Sequence, residues 1–179
     1  GIDEVAEREV DRLLAAAGDV ATYSEDRGLV VHGRPRGILV IDPVDGTRPA
    51  AAGLESACVS VAVLPPREDA TLGEVEFGVV QELRSGARFS AGRGRGARAE
   101  AADGTSIAVR PSANADLAAM FWAVGTRGRP IRPVTAVLEH LIDGVAMHGG
   151  HFDLGSVAFD LTRIVPTATE ISVIEGVRR

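Results

Sequence analysis

The sequence predicts an α/β chain in which helices flank a largely antiparallel sheet, and three observations predict it. An apolar stripe with helical period opens the chain, short β-branched runs between turn residues fill its middle, and helical period returns after residue 111. With 179 residues, 45% of them hydrophobic, the chain can bury a sizeable core as one domain or two small ones. In "IDEVAEREVDRLLAAAG", Ile2, Ala6, Val10, Leu13, Leu14 and Ala17 fall on one side of a helix that Gly18 ends. "GILVI" predicts a short buried strand ending at Asp42, and "ACVSVAVL" the next strand after a loop over residues 43–56. "GEVEFGVVQEL" and "ARFSA" follow as strands around a turn at Ser85-Gly86, and "SIAVR" adds another, so residues 58–110 read as an antiparallel meander. Beyond it "ADLAAMFWAVG", "VTAVLEHLIDG" and "GSVAFDLTRIV" predict helices and "EISVI" a strand. The expected organisation is an N-terminal αβ half over residues 1–111 and a C-terminal αβ half over residues 112–179.

Charge and composition narrow the chemistry. A formal net charge of -6 argues against general nucleic-acid binding, which needs a basic field to displace counterions from phosphates. A small anionic substrate would therefore need a local positive centre. The lone Cys58 excludes an internal disulfide and any cysteine-rich zinc site and points to a reducing cytoplasm. Nothing resembles a signal peptide, and "ACVSVAVL" falls far short of the ~20 residues that a membrane span requires. His148 and His151, in a Gly-rich turn, lack the further ligands that a zinc site brings.

"VIDPVDGT" concentrates the chemistry. A helix-loop-helix calcium loop starting at Asp42 fails, because its ligand and glycine positions hold Val44, Gly46, Thr47 and Gly53. "GRGRGA" is a poor dinucleotide fingerprint, with its third glycine misplaced and no helix behind it. Neither a Walker lysine, nor a Gly-x-Ser-x-Gly elbow, nor a Cys/His pair at catalytic spacing occurs. Oxygen-ligand metal chemistry remains. Asp42 and Asp45, held apart by the stiff Pro43, can face neighbouring cations, and the Val44 carbonyl offers another hard oxygen. Gly46 allows a sharp turn into a helix start whose free N–H groups attract an anion, with the Thr47 hydroxyl beside it. Taken alone, "DPVD" fits a solvated Asx turn equally well.

"IDPVDGT", with "YSED" and "IDEVAE" before it, resembles the inositol monophosphatase family of magnesium-dependent, lithium-sensitive phosphatases. Members show a helix beginning Asp-x-x-Ala-Glu, a Ser-Glu-acid element and Asp-Pro-[Ile/Val]-Asp-Gly-Thr, in that order. "AGRGRGAR" resembles the family's Gly-x-Gly-Ala hairpin and "LGSVAFDLTRIV" its Gly-Ser-x-Ala helix near the substrate pocket. The resemblance implies a layered αβαβα sandwich of the sugar-phosphatase type. It implies hydrolysis of a small phosphate monoester, an inositol or sugar phosphate, by metal-activated water. It further implies two or three Mg2+ ions, with Mn2+ able to substitute, and a homodimer. Carried over by position, Glu25, Asp42, Asp45 and the Val44 carbonyl would bind metal, while Asp3 and Thr47 would position the attacking water, with Glu25 counted among the catalytic groups. Gly46 and Thr47 would hold the phosphate, and Gly155, Ser156 and Glu175 would contact the substrate.

Plainer roles stand beside these. Asp3 could cap its helix, Asp26 rivals Glu25, and Gly155 and Ser156 could simply start a helix. Arg84, Arg88, Arg93, Arg95 and Arg98 read as an exposed hairpin face, and Phe121 and Trp122 as core. The family's late Trp/Tyr-Asp-x-Ala-Ala segment has no counterpart up to Arg179, and Asp160 does not lie in that motif. The expectation is a chain incomplete at both ends. A family member that binds metal or a phosphorylated ligand without turnover is the alternative.

Overall fold

The computed structural model describes residues 1–111, 114–126, 130–145, 149–163 and 171–174. Helix α1 (Ile2–Ala17) leads into a hairpin of β1 (Val20–Ser24) and β2 (Gly28–His32), whose turn is Glu25, Asp26 and Arg27. Strand β3 (Ile38–Asp45), the single helical turn α2 (Thr47–Ala51) and β4 (Cys58–Leu64) come next. The strands β5 (Phe77–Glu82), β6 (Arg88–Gly92), β7 (Gly96–Glu100) and β8 (Ser106–Ile107) complete an eight-stranded sheet in the order β2-β1-β3-β4-β5-β6-β7-β8. From β3 onward every pairing in it is antiparallel, as the meander predicts, while β1 lies parallel to β3. Pairing of β3 with β4 shifts register between Asp42, opposite Ser60, and Asp45, opposite Cys58.

A second sheet places β9 (Phe121–Val124) between β10 (Gly150–Phe152) and β11 (Ile171–Ile174), all parallel. Helix α3 (Ile131–Val145) covers it through Val134, Leu138, Leu141 and Ile142 against Trp122 and Val124. The short helix α4 (Val157–Thr162) contacts β3, β4 and β5 of the large sheet and β11 of the small one. These helices and sheets form the mixed α/β architecture expected.

Three local expectations are corrected. Residues 115–125 are not a helix: Leu117–Ala119 makes one 3-10 turn, and Phe121–Val124 is the central strand of the small sheet. Its Trp122, Ala123 and Val124 are all buried, as a parallel strand covered on both faces must be, and a short apolar run has no period that separates it from a helix. The loop after "GILVI" also departs from expectation, because β3 runs on to Asp45 and α2 occupies part of the rest. In α1 the inward stripe is shifted. Ile2 and Leu13 stand about half exposed while Glu7 is buried, so the helix turns Asp3, Glu7, Val10 and Leu14 inward. Helix α1 packs on β3, and acids rather than aliphatics lead that contact because a polar cavity lies at the end of β3.

Candidate metal centre and active site

The end of β3 and the start of α2 build one wall of a cavity of about 160 Å3. Asp42, Val44, Asp45, Gly46 and Thr47 line it from β3 and the turn, Asp3 and Glu7 from α1, and Glu25 and Asp26 from the β1–β2 turn. No basic side chain is among its lining residues. The acids assigned to metal and water, Asp3, Glu25, Asp42 and Asp45, thus meet at one place with Val44, Gly46 and Thr47.

Local geometry explains how each is held. Asp42 Oδ1 accepts the Val44 N–H at 3.1 Å, the Asx turn that the sequence allowed, so turn and site are the same structure. Thr47 Oγ1 donates toward Asp3 Oδ1 at 2.7 Å and lies 3.2 Å from the Val44 carbonyl, joining α1 to the loop. Asp3 therefore faces Thr47 across the fold; the capping bonds at the start of α1 are made by Glu4. Gly46 has φ +93, and a Cβ there would stand 2.4 Å from the Ser56 carbonyl and 2.9 Å from Ser156 Cβ. Only glycine fits that turn.

Partial desolvation raises the pKa of Asp42, and the charges of Asp45, Glu25 and Asp3 raise it further against the opposing Val44 hydrogen bond. Four carboxylates thus repel one another around shared space. Among the described residues no three acidic, imidazole or thiol groups converge closely enough to hold an ion between them. In kind the set fits a hard divalent cation: oxygen donors only, several carboxylates, one backbone carbonyl and no competing cationic side chain.

Asp45 is held from behind. Its Oδ2 accepts Ser156 Oγ at 2.9 Å and Ala158 N–H at 2.6 Å, both from the start of α4. Ser156 caps α4 by accepting the Phe159 N–H at 3.2 Å and is only 1% exposed. Gly155, at φ +77, packs where a Cβ would meet Pro49 Cγ at 3.0 Å. Gly155 and Ser156, expected near the substrate, thus pack behind the loop over residues 42–47. Glu175 and His148 lie outside the described residues. Asp160 is buried in α4, Trp122 is buried with His151 tilted against it, and Arg84, Arg88, Arg93, Arg95 and Arg98 are all exposed. Sequence reading passed over Glu7, one helical turn beyond Asp3 on the inward stripe, a spacing that could have revealed it. A larger apolar cavity of about 680 Å3 borders Glu25 and Asp42 on the side of α4, with Arg98 as its basic side chain.

A layered α/β protein carrying an acid-lined, oxygen-donor centre beside a glycine turn is the class that this fold and site define. The profile of the inositol monophosphatase family matches residues 2–176, and the chain belongs to that family. It is 28% identical over 189 aligned positions to a fructose-1,6-bisphosphatase/inositol-1-monophosphatase of Methanothermobacter thermautotrophicus, an alignment covering 97% of this chain and 67% of that protein. Among solved structures, Mycobacterium tuberculosis SuhB superposes with a TM-score of 0.73 at 21% identity, over 98% of this chain and 65% of that one. The extragenic suppressor protein SuhB of Bartonella henselae gives 0.72 at 24%, over 93% and 61%. The chain spans about two thirds of the length of these relatives. Among the described residues no helix is long and apolar enough to cross a membrane.

Proposed function

We propose that the chain carries the metal-binding half of a Mg2+-dependent phosphatase that hydrolyses a small phosphate monoester, an inositol or sugar phosphate. One observation carries the reading: Asp3, Glu25, Asp42 and Asp45 line a single cavity with Thr47 hydrogen-bonded to Asp3 at its rim. In this reading Glu25, Asp42, Asp45 and the Val44 carbonyl hold the cations, two or three Mg2+ with Mn2+ able to replace them. Bound there, the metal supplies positive charge for the phosphoryl oxygens and acidifies a water. Thr47 Oγ1, its own proton directed to Asp3, is left with a lone pair to accept a hydrogen bond from the attacking water and orient it. The N–H groups of the Gly46-Thr47 turn face the phosphoryl oxygens. Water forms the new P–O bond as the bond to the alcohol breaks, and the alcohol oxygen takes up the proton; no protein nucleophile is needed.

The proposal extends to lithium inhibition, a cytoplasmic homodimer and a division at residues 111 and 112. Fructose 1,6-bisphosphate and phosphorylated nucleotides are further candidate substrates. The alternative reading is a family member that binds metal or a phosphorylated ligand without turnover. Phosphate release from inositol 1-phosphate with and without Mg2+, and with added Li+, tests the choice. Metal-dependent, lithium-sensitive release supports the enzyme; saturable Mn2+ binding with no release supports the binder.

A further inference from the structure

We propose that Ser156 is a positioning residue for Asp45, gripping that carboxylate by one oxygen so that the other is presented to the cavity. The inference rests on the metal-dependent reading above and adds a role for a residue that stands behind the cavity lining and is not part of it. Both hydrogen bonds that fix Asp45 land on Oδ2, from Ser156 Oγ at 2.9 Å and Ala158 N–H at 2.6 Å. A carboxylate turns easily about its last torsion, and Asp45 sits among like charges that push it away from the others. Two donors on one oxygen remove that freedom and set the direction of Oδ1.

The Ser156 hydroxyl is itself fully committed. It donates to Asp45, accepts from Phe159 N–H at 3.2 Å and touches Cys58 Sγ at 3.6 Å, at a residue 1% exposed. Its neighbours leave little play: Gly46 passes so close that a Cβ there would reach 2.9 Å from Ser156 Cβ, and Ser56 Oγ donates to the Leu154 carbonyl at 2.7 Å. The far end of α4 is anchored by Arg163, which pairs with the buried Glu82 and lies 4.5 Å from the Phe159 ring centroid and 5.4 Å from that of Phe89. A helix pinned at both ends is a rigid support from which a side chain can set a ligand's angle, and partners behind a ligand commonly govern affinity as the ligands themselves do.

Mn2+ titration of the whole chain, followed by the electron paramagnetic resonance signal of the free ion, tests this without turnover. Ser156→Ala is expected to weaken Mn2+ binding about tenfold, and Ser156→Thr, which keeps the hydroxyl, to recover most of that loss. Ile38→Val, at the opposite end of β3, serves as a stability control: it lowers Tm while affinity stays within about twofold. The proposal is overturned if Ser156→Ala binds like the unsubstituted chain, if Ile38→Val weakens binding as much, or if Ser156→Thr keeps the parent Tm yet binds no better than Ser156→Ala. Absence of saturable Mn2+ uptake by the unsubstituted chain would instead remove the metal-dependent reading, and this inference with it.

Discussion

The loop over residues 42–47 and the start of α4 hold the same carboxylate from two sides, and they are built on opposite principles. In the loop, neighbours in sequence are neighbours in space: Asp42 accepts Val44 N–H, and Thr47 reaches the Val44 carbonyl. At α4 the contacts that tie the helix to the rest of the fold are distant in sequence, Ser156 to Asp45 and Arg163 to Glu82. The loop gathers mutually repelling charges, whereas the α4 side sets two hydrogen-bond donors against Asp45 and pairs Arg163 with Glu82. Chemistry is concentrated in a short motif, and its precision depends on packing far along the chain.

The sharpest way to break this comparison is at the buried pair. Arg163→Met leaves Glu82 charged, 4% exposed and without the arginine, and should destabilise the chain by about 3 kcal/mol in urea unfolding. The double variant with Glu82→Gln should regain much of it. Asp45→Asn strikes the carboxylate that both regions share. It should lower Mg2+-dependent phosphate release by ~100-fold or more with the circular dichroism spectrum unchanged. Gly46→Ala adds a Cβ 2.4 Å from the Ser56 carbonyl at a backbone angle foreign to alanine, and should destabilise by roughly 2 kcal/mol, read as a lowered Tm.

The smallest effect concerns sign. The raised pKa of Asp42 means that the folded chain holds this proton more tightly than the unfolded one. Its contribution to stability is therefore full below the ordinary carboxylate value and lost as pH rises through the raised one. Without divalent ions Asp42→Asn should raise Tm at neutral pH, the gain shrinking as pH falls through that window. With Mn2+ present the order should reverse, because the variant forfeits the ion's stabilisation. A variant less stable than the parent in metal-free buffer at neutral pH would contradict the picture of a repelling cluster.

Much of the fold was legible where side-chain period and turn chemistry agree, as in α1, β3, β4, the meander and α3. The short central strand Phe121–Val124 was not, since four buried residues look alike in either regular structure. The β1–β2 hairpin, which carries Glu25 at its turn, has strands of five residues that alternate too weakly to stand out. Within the candidate site, Asp3, Glu25, Asp42, Val44, Asp45, Gly46 and Thr47 were singled out by a contiguous motif and two upstream acids, and the structure brings them to one cavity. The hold of Ser156 on Asp45 was invisible, because a hydroxyl at a helix start gives the same local pattern whether or not a carboxylate waits across the fold.

The register shift between Asp42 and Asp45 has a simple arithmetic behind it. Side chains three apart on a regular strand project to opposite faces. Here β3 advances three residues from Asp42 to Asp45 while β4 advances two, from Ser60 to Cys58. That surplus residue turns an odd interval into an even one, so both acids border a single hollow instead of straddling the sheet. Deleting Pro43 or Val44 would set Asp45 two residues after Asp42 on a regular strand, keeping both acids on one face but removing the bulge that bends β3 and lifts the intervening residue out of the pleat.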